Sequence, residues 1–322
     1  MAGYTDRVVK VLLMYPPSRE HEAALREAAP SASFVAAADE RSAARLIRNA
    51  DVVLGNRFFL QSLPEAKRLR WMQSNSAGVD RILSVGPALE GIVLTNARGV
   101  YDDEVADHAV ALVLALARGV HLARDAQRER RWERMQLATL RGRRAVVLGW
   151  GGIGRGIAHR LRAFGVVVEG VRRRGPAGTD AEGFLVHAGD GWQARLPQTD
   201  ILVLALPLTS ETRDLVATRE LAALPPHVLV VNVGRAQTLD EEALFAALRS
   251  GSVAGAALDV VRDEPAPPHH PAWDAPNLLL TPHVARSREK PPYRWEPLFV
   301  ENVRRFAADE PLVNVVDVHA GY

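Results

Sequence analysis

Short aliphatic runs alternate with segments of helical period through the first hundred residues. Residues 7–15 (RVVKVLLMY) form a continuous β-branched and aliphatic run stopped by Pro16-Pro17, the pattern of a buried strand. Helical spacing follows at residues 20–29 and 42–49, each leading into an apolar run, 33–36 and then 51–54, and the runs 71–74 and 92–96 continue the series. This alternation predicts an α/β domain with a parallel sheet. Asp102, Asp103 and Glu104 put acids where a helix N-terminus favours them, so one long helix is predicted from Val105 to about Arg130. Beyond Arg144 the alternation restarts, with strands predicted at 145–148, 166–171, 201–205, 228–233, 254–258 and 278–280, the run of a doubly wound sheet. The proline-rich stretch 265–271 reads as a loop, residues 295–309 as a helix, and 311–318 as an extended tail. No repeat of solenoid period appears.

Composition narrows the possible chemistry. The length of 322 residues predicts two domains, and 48% apolar with 24% charged residues is ordinary for a globular chain. Cysteine is absent, which excludes disulfides, thiolate metal sites and a Cys nucleophile and makes the cytoplasm the default location. The first fifteen residues lack the pattern of a secretory signal, and the longest apolar stretch, 105–117, is interrupted by Asp107 and His108 and falls short of the ~20 residues a bilayer requires. With 40 basic against 38 acidic residues the net charge is only +2, so neither nucleic acid nor a membrane surface is an expected partner. Only Lys10, Lys67 and Lys290 are lysines, leaving 37 of the 40 basic residues as Arg and making each a candidate bidentate anion clamp. The Arg-rich stretch up to Arg144 reads as a solvated face, since Trp132 is its one interleaved aromatic. His269-His270 lacks the spacing of a metal site, and no metal is expected.

The strand 145–148 runs into Gly149-Trp150-Gly151-Gly152-Ile153-Gly154, with a helix predicted at 155–164. Gly-x-Gly-x-x-Gly between strand and helix is a dinucleotide-binding turn: the first glycine allows the turn, the second a close pyrophosphate, the third tight helix packing. An acid ending the next strand would accept hydrogen bonds from the ribose 2′-OH of NAD. This strand ends in Arg172-Arg173-Arg174, whose guanidinium groups suit a 2′-phosphate, so NADP(H) is expected, with NAD(H) possible. Glu169 lies too early on the strand to substitute. Three further stretches carry groups suited to hydride transfer to a 2-keto acid: Asn232-Val233-Gly234-Arg235-Ala236, Asp259 through Glu264-Pro265, and Thr281-Pro282-His283.

With Ser76-Ala77-Gly78-Val79-Asp80, Glu104-Val105-Ala106-Asp107-His108, Leu206-Pro207-Leu208-Thr209 and Asn314-Val315-Val316, these motifs fall in one collinear order. The sequence resembles, along nearly its whole length, the D-isomer-specific 2-hydroxyacid dehydrogenase family, and within it the NADP-preferring glyoxylate/hydroxypyruvate reductase branch. The resemblance implies two Rossmann-like α/β domains with parallel sheets and an active site in the interdomain cleft. Residues 1–102 plus 288–322 would form the substrate domain and 103–287 the dinucleotide-binding domain. His283 would be the general acid toward the substrate carbonyl, with Glu264 keeping its imidazole charged, and Arg235 would bind the carboxylate and carbonyl. Backbone N–H groups around Ser76, Ala77, Gly78 and Val79 would grip the carboxylate. Asp259 would bind the nicotinamide carboxamide, Pro207 and Val233 would line the cofactor, and Arg57 is placed at the substrate. A homodimer built through the cofactor domains and the Trp132 region is implied.

Several residues depart from the family pattern. Ala236 and Arg286 stand where Gly is usual, Asp107 replaces Glu, and Pro291-Pro292 interrupts an expected helix, so that helix should start later. These changes leave the identity of the small 2-keto or 2-hydroxy acid open rather than the reaction. Two alternatives remain at this point: a formate-dehydrogenase-like enzyme, against which Glu264 argues because that branch carries Gln there, and a dinucleotide-sensing corepressor of the same fold, which the Arg235, Glu264 and His283 set disfavours.

Overall fold

The computed structural model describes residues 8–286 and 291–322. Arg7, the expected start of the first strand, and the expected boundary at 287/288 lie outside the described residues. The chain forms two compact units, Met1–Val100 with Arg288–Tyr322, and Tyr101–Ser287.

In the first unit five parallel strands, β1 (Lys10–Leu13), β2 (Ser33–Ala36), β3 (Val52–Leu54), β4 (Trp71–Gln73) and β5 (Val93–Thr95), form a sheet in the order β2-β1-β3-β4-β5. Helices α1 (Arg19–Ala28), α2 (Glu40–Ile47), α3 (Phe59–Ser62) and α4 (Asp80–Leu83) connect them. Each of the two longer helices starts where the sequence supplies a cap. Ser18 Oγ accepts from His21 N–H at 3.0 Å, and Asp39 Oδ1 from Ser42 N–H at 2.7 Å. Leu12, Met14, Ile47, Val53, Phe59 and Met72 meet in the core beneath the sheet.

The second unit holds an eight-stranded sheet in the order β13-β12-β11-β10-β6-β7-β9-β8. Its strands are β6 (Arg144–Leu148), β7 (Val167–Arg172), β8 (Gly178–Thr179), β9 (Leu185–Ala188), β10 (Ile201–Leu204), β11 (Leu229–Asn232), β12 (Gly255–Leu258) and β13 (Leu278–Leu280). Six were expected. The added pair, β8 and β9, lies at the sheet edge; Gly178-Thr179 carries no hydrophobic pattern and His187 cuts short the apolar start of β9, and β8 pairs antiparallel with β9. The predicted helix from Val105 to Arg130 is two helices, α5 (Asp102–Ala117) and α6 (Val120–Arg128), bent by 65°. Gly119 makes the break with φ of 58°, a conformation that helical spacing alone does not reveal. Among the described residues no single helix is long and apolar enough to cross a membrane. Helices α7 (Gly152–Ala163), α8 (Thr218–Ala222) and α9 (Glu241–Ser250) complete the unit.

The last helix, α10 (Glu296–Ala307), belongs to the first unit and starts after Pro291-Pro292 as expected. Buried Asn302 ties it to the sheet and the tail: Nδ2 donates to Gln73 Oε1 at 2.7 Å and to Val313 O at 3.0 Å.

Candidate active site

The register of the second sheet explains why residues far apart in sequence come together. Val171, Leu148, Leu204, Asn232, Leu258 and Leu280 pair in one row across β7, β6, β10, β11, β12 and β13. Arg172, Gly149, Pro207, Arg235, Asp259 and His283 all lie within three residues past that row. Parallel strands stand ~4.8 Å apart, so the loops open side by side along one carboxyl edge. The chain enters the sheet at β6, runs outward through β7 and returns to β10 on the other side. The glycine turn therefore sits at the point where strand order reverses, where α/β sheets bind ligands.

The glycines of that turn are required by contact. A Cβ on Gly149, whose φ is 102°, would fall 2.4 Å from Ala205 O, and one on Gly154 would fall 1.9 Å from Gly149 O. Gly151 faces open space, and α7 begins behind it without a side-chain cap. Uncapped N–H groups at an open glycine turn fit a pyrophosphate. Trp150, expected at the cofactor, turns its side chain elsewhere. The indole is buried, donates from Nε1 to Asp180 Oδ2 at 2.8 Å and covers Gly170 on β7, so the residue offers a ligand its backbone only.

Arg172 ends β7 with a buried Nε that has no partner among the described residues, while its terminal nitrogen donates to Pro176 O. An orphaned donor here fits the phosphate of a dinucleotide. Arg173 pairs with Glu211. Glu169 is not a ribose ligand: it is buried and bound by Arg195 at 2.7 Å and His187 at 2.6 Å. Burial raises its carboxyl, but those donors outweigh it and hold it below its ordinary value.

His283 and Glu264 meet as expected, Nδ1 lying 2.7 Å from Oε2. The other oxygen of Glu264 accepts from Val261 N–H at 3.3 Å. His283 adopts φ of 51°, held by its N–H donating to Asp259 O at 2.8 Å, and Nε2 has no partner among the described residues. Asp259, expected to contact a carboxamide, anchors this turn. It is 1% exposed; Oδ1 accepts from Thr281 Oγ1 at 2.6 Å and Val284 N–H at 2.9 Å, and Oδ2 from Ala285 N–H at 3.0 Å. His108 Nε2 lies 3.3 Å from the same carboxylate and 3.0 Å from Thr281 Oγ1. Burial raises Asp259, yet the hydrogen bonds from His108, Thr281 and the two backbone groups prevail and keep it lowered. The sequence reading gave His108 no role. Its signal was a polar side chain inside the apolar run of α5.

Arg235 follows β11 with its backbone fixed: its carbonyl accepts from Thr238 Oγ1 at 2.7 Å and Asn232 Nδ2 at 3.1 Å. A Cβ on Gly234 would stand 2.7 Å from Leu206 O, so only glycine lets this loop pass. Val233 is buried beside it.

The family profile of the D-isomer specific 2-hydroxyacid dehydrogenases, NAD binding domain, matches residues 110–285. The chain belongs to this family. As a 2-hydroxyacid dehydrogenase it is an NAD(P)-dependent oxidoreductase of two α/β domains with parallel sheets. It is 34% identical over 283 residues to the glyoxylate reductase of Aeropyrum pernix, covering 84% of each chain. A D-isomer specific 2-hydroxyacid dehydrogenase from Xanthobacter autotrophicus, solved with NADPH and MES, matches with a TM-score of 0.82 at 31% identity over 98% of this chain and 100% of that one. An NADPH-dependent glyoxylate/hydroxypyruvate reductase from Sinorhizobium meliloti, solved with NADP and sulfate, gives 0.83 at 28% identity over the same shares.

The first unit of this dehydrogenase carries the remaining expected residues. Ser76 N–H is already engaged, donating to Ser74 Oγ at 3.0 Å, while Asn56 Nδ2 donates to Ser76 Oγ at 3.1 Å. The N–H groups of Ala77, Gly78 and Val79 have no acceptor among the described residues. Arg57 is exposed, its guanidinium 4.9 Å over the Phe58 ring, and it lines a cavity of about 320 Å³ together with Ser76, Gly78 and Arg81.

Proposed function

We propose that this dehydrogenase reduces a small 2-keto acid, glyoxylate or hydroxypyruvate, to the D-2-hydroxy acid with NADPH. The observation that carries the reading is the His283–Glu264 pair, with a free Nε2, on the same sheet edge as Arg235 and the open glycine turn. NADPH, when bound, supplies the hydride that adds to the keto carbon. His283 Nε2 gives its proton to the carbonyl oxygen, which becomes the hydroxyl, and Glu264 stabilises the imidazolium that donates. Arg235 neutralises the substrate carboxylate and turns the carbonyl toward the acid. In the first unit the N–H groups of Ala77, Gly78 and Val79 are the candidate carboxylate donors, and Arg57 is the candidate substrate side chain beside them. The backbone of residues 149–154 holds the pyrophosphate, Pro207 and Val233 flank the cofactor, and Arg172, supported by Arg173, binds the 2′-phosphate. NAD(H) serves as the weaker cofactor.

The protein works as a cytoplasmic homodimer in this reading. The apolar surface at Val120, Leu122, Trp132 and Leu137 supports the dimer, Trp132 being 98% exposed. NADPH and NADH oxidation against a panel of 2-keto acids tests the proposal. Turnover of glyoxylate or hydroxypyruvate with NADPH preferred is expected. A protein that binds NADPH and reduces none of them would falsify it.

A further inference from the structure

The loop that carries Glu264 is held by little of its own backbone. Among the described residues no backbone N–H from Val260 to His269 donates to a backbone carbonyl. Side chains hold it instead: the Arg262 guanidinium donates to Leu239 O at 2.9 Å and pairs with Asp214, Trp273 Nε1 donates to Pro267 O at 2.8 Å, and two further carboxylates act from within the loop and from beside it. One is Glu264, whose bond to Val261 N–H fixes it to its own loop but not the loop to the sheet. The other is Glu241, the first residue of α9. Its Oε1 accepts from Arg262 N–H at 2.8 Å, and its Oε2 lies 3.7 Å from His270 Nε2. His270 Nδ1 accepts from Ala272 N–H at 3.2 Å, so the imidazole carries its proton on Nε2, toward Glu241. The same ring stands edge-on to Phe245 of α9, with centroids 6.3 Å apart.

Glu241 thus meets both ends of residues 262–270, by a hydrogen bond at Arg262 N–H and across 3.7 Å at the His270 ring, and Glu264 lies between the two. Helix electrostatics do not explain why Glu241 is buried, because exposed Glu242 already places an acid in the first turn of α9. Glu241 and His270 are only 6% and 5% exposed. Desolvation raises the Glu241 carboxyl; the Arg262 N–H pulls the other way, and His270, Arg262 and Asp263 are the charged or titratable groups facing it. A buried carboxylate is a costly way to brace a loop unless the position of that loop matters.

We propose that Glu241, together with His270, is a positioning residue that sets Glu264 against His283 and so acts on proton transfer without touching substrate. The inference rests on the reading of His283 as the proton donor. Its test uses the full chain with Glu241→Ala and two readouts. Keto-acid reduction is expected to lose about tenfold or more in kcat while the NADPH dissociation constant stays within about twofold, since a catalytic group misplaced by ~1 Å costs up to ~100-fold. The NMR resonance of the proton that His283 Nδ1 shares with Glu264, whose measurement requires no turnover, is expected to shift as that hydrogen bond loosens. Both effects should vanish in a Glu264→Gln background, because the action runs through Glu264. A kcat loss that adds in full to that of Glu264→Gln, or an unmoved His283 resonance, overturns the proposal. Should the Ala variant fail to fold, Glu241→Gln keeps an oxygen for Arg262 N–H and gives up the charge facing His270. A smaller shift in the same direction, absent in the Glu264→Gln background, supports the proposal, and no shift overturns it. Wild-type protein that reduces no keto acid removes the proposed function, while the His283 resonance still decides this inference.

Discussion

Three side chains follow their strands, Asp259 by one residue, His283 by three and Glu264 by six, and divide the work. His283 faces outward with Nε2 open, Glu264 holds its Nδ1, and Asp259 is buried beneath them as an anchor. Removing the acid should therefore affect chemistry more than binding. His283→Ala is expected to lower kcat by ~10²–10⁴ with little change in NADPH affinity, measured by steady-state kinetics and cofactor fluorescence; an unchanged rate removes His283 from the role. In the proposed function Arg172 is the residue on which cofactor choice turns. Its buried Nε has no partner among the described residues, and a 2′-phosphate would offer this guanidinium charge-assisted bonds stronger than those of a neutral 2′-hydroxyl. Arg172→Asp should shift the NADPH/NADH preference toward NADH, and a ratio of kcat/KM values that stays put refutes the assignment. All of these residues stand out in the sequence because their chemistry is distinctive and their motifs are local. Asp259 was legible as a residue but not as an anchor, since its partners His108, Thr281 and Ala285 come from other segments.

At the level of elements, the glycine turn depends on a strand it does not touch in sequence. A Cβ on Gly170 of β7 would lie 2.1 Å from Trp150 Cε3, so the indole and its bond to Asp180 fit only over glycine. Gly170→Ala should cost about 1–3 kcal/mol by overpacking and weaken NADPH binding as the turn shifts. Adding Trp150→Leu should recover part of both, measured by thermal unfolding and cofactor titration; no recovery would mean the strain lies elsewhere. The α5–α6 break is a second case. The apolar period runs through Gly119 without interruption, and only its positive φ turns the chain. The edge strands β8 and β9 escaped prediction because Gly178-Thr179 has no apolar residue and His187 interrupts the short Leu185-Val186 start of β9.

On the scale of the whole molecule, the chain's end returns to its beginning. His21 of α1 is buried against Trp295, their ring centroids 5.9 Å apart, and bonds Tyr15 Oη through Nε2 at 2.8 Å. Burial lowers its imidazole to about 4 from an ordinary value of 6.5. The folded chain thus resists a proton that the unfolded chain accepts. This contribution to stability is complete above about pH 6.5 and is lost as the pH falls toward about 4. Melting temperature should decline more steeply over that window in the wild type than in His21→Gln. Parallel declines would show that other groups set the acid limb.

The sequence alone determined the strand and helix alternation, the glycine turn and the placement of Arg235, Glu264 and His283. Each is written in local period or in a short motif, which neighbouring residues enforce through backbone sterics. Only the tertiary structure decided that the carboxylates of Asp259 and Glu241 hold loops, that Trp150 faces Gly170 and that His108 joins the site. These facts are contacts between segments that the sheet register brings together, and no spacing along the chain encodes them.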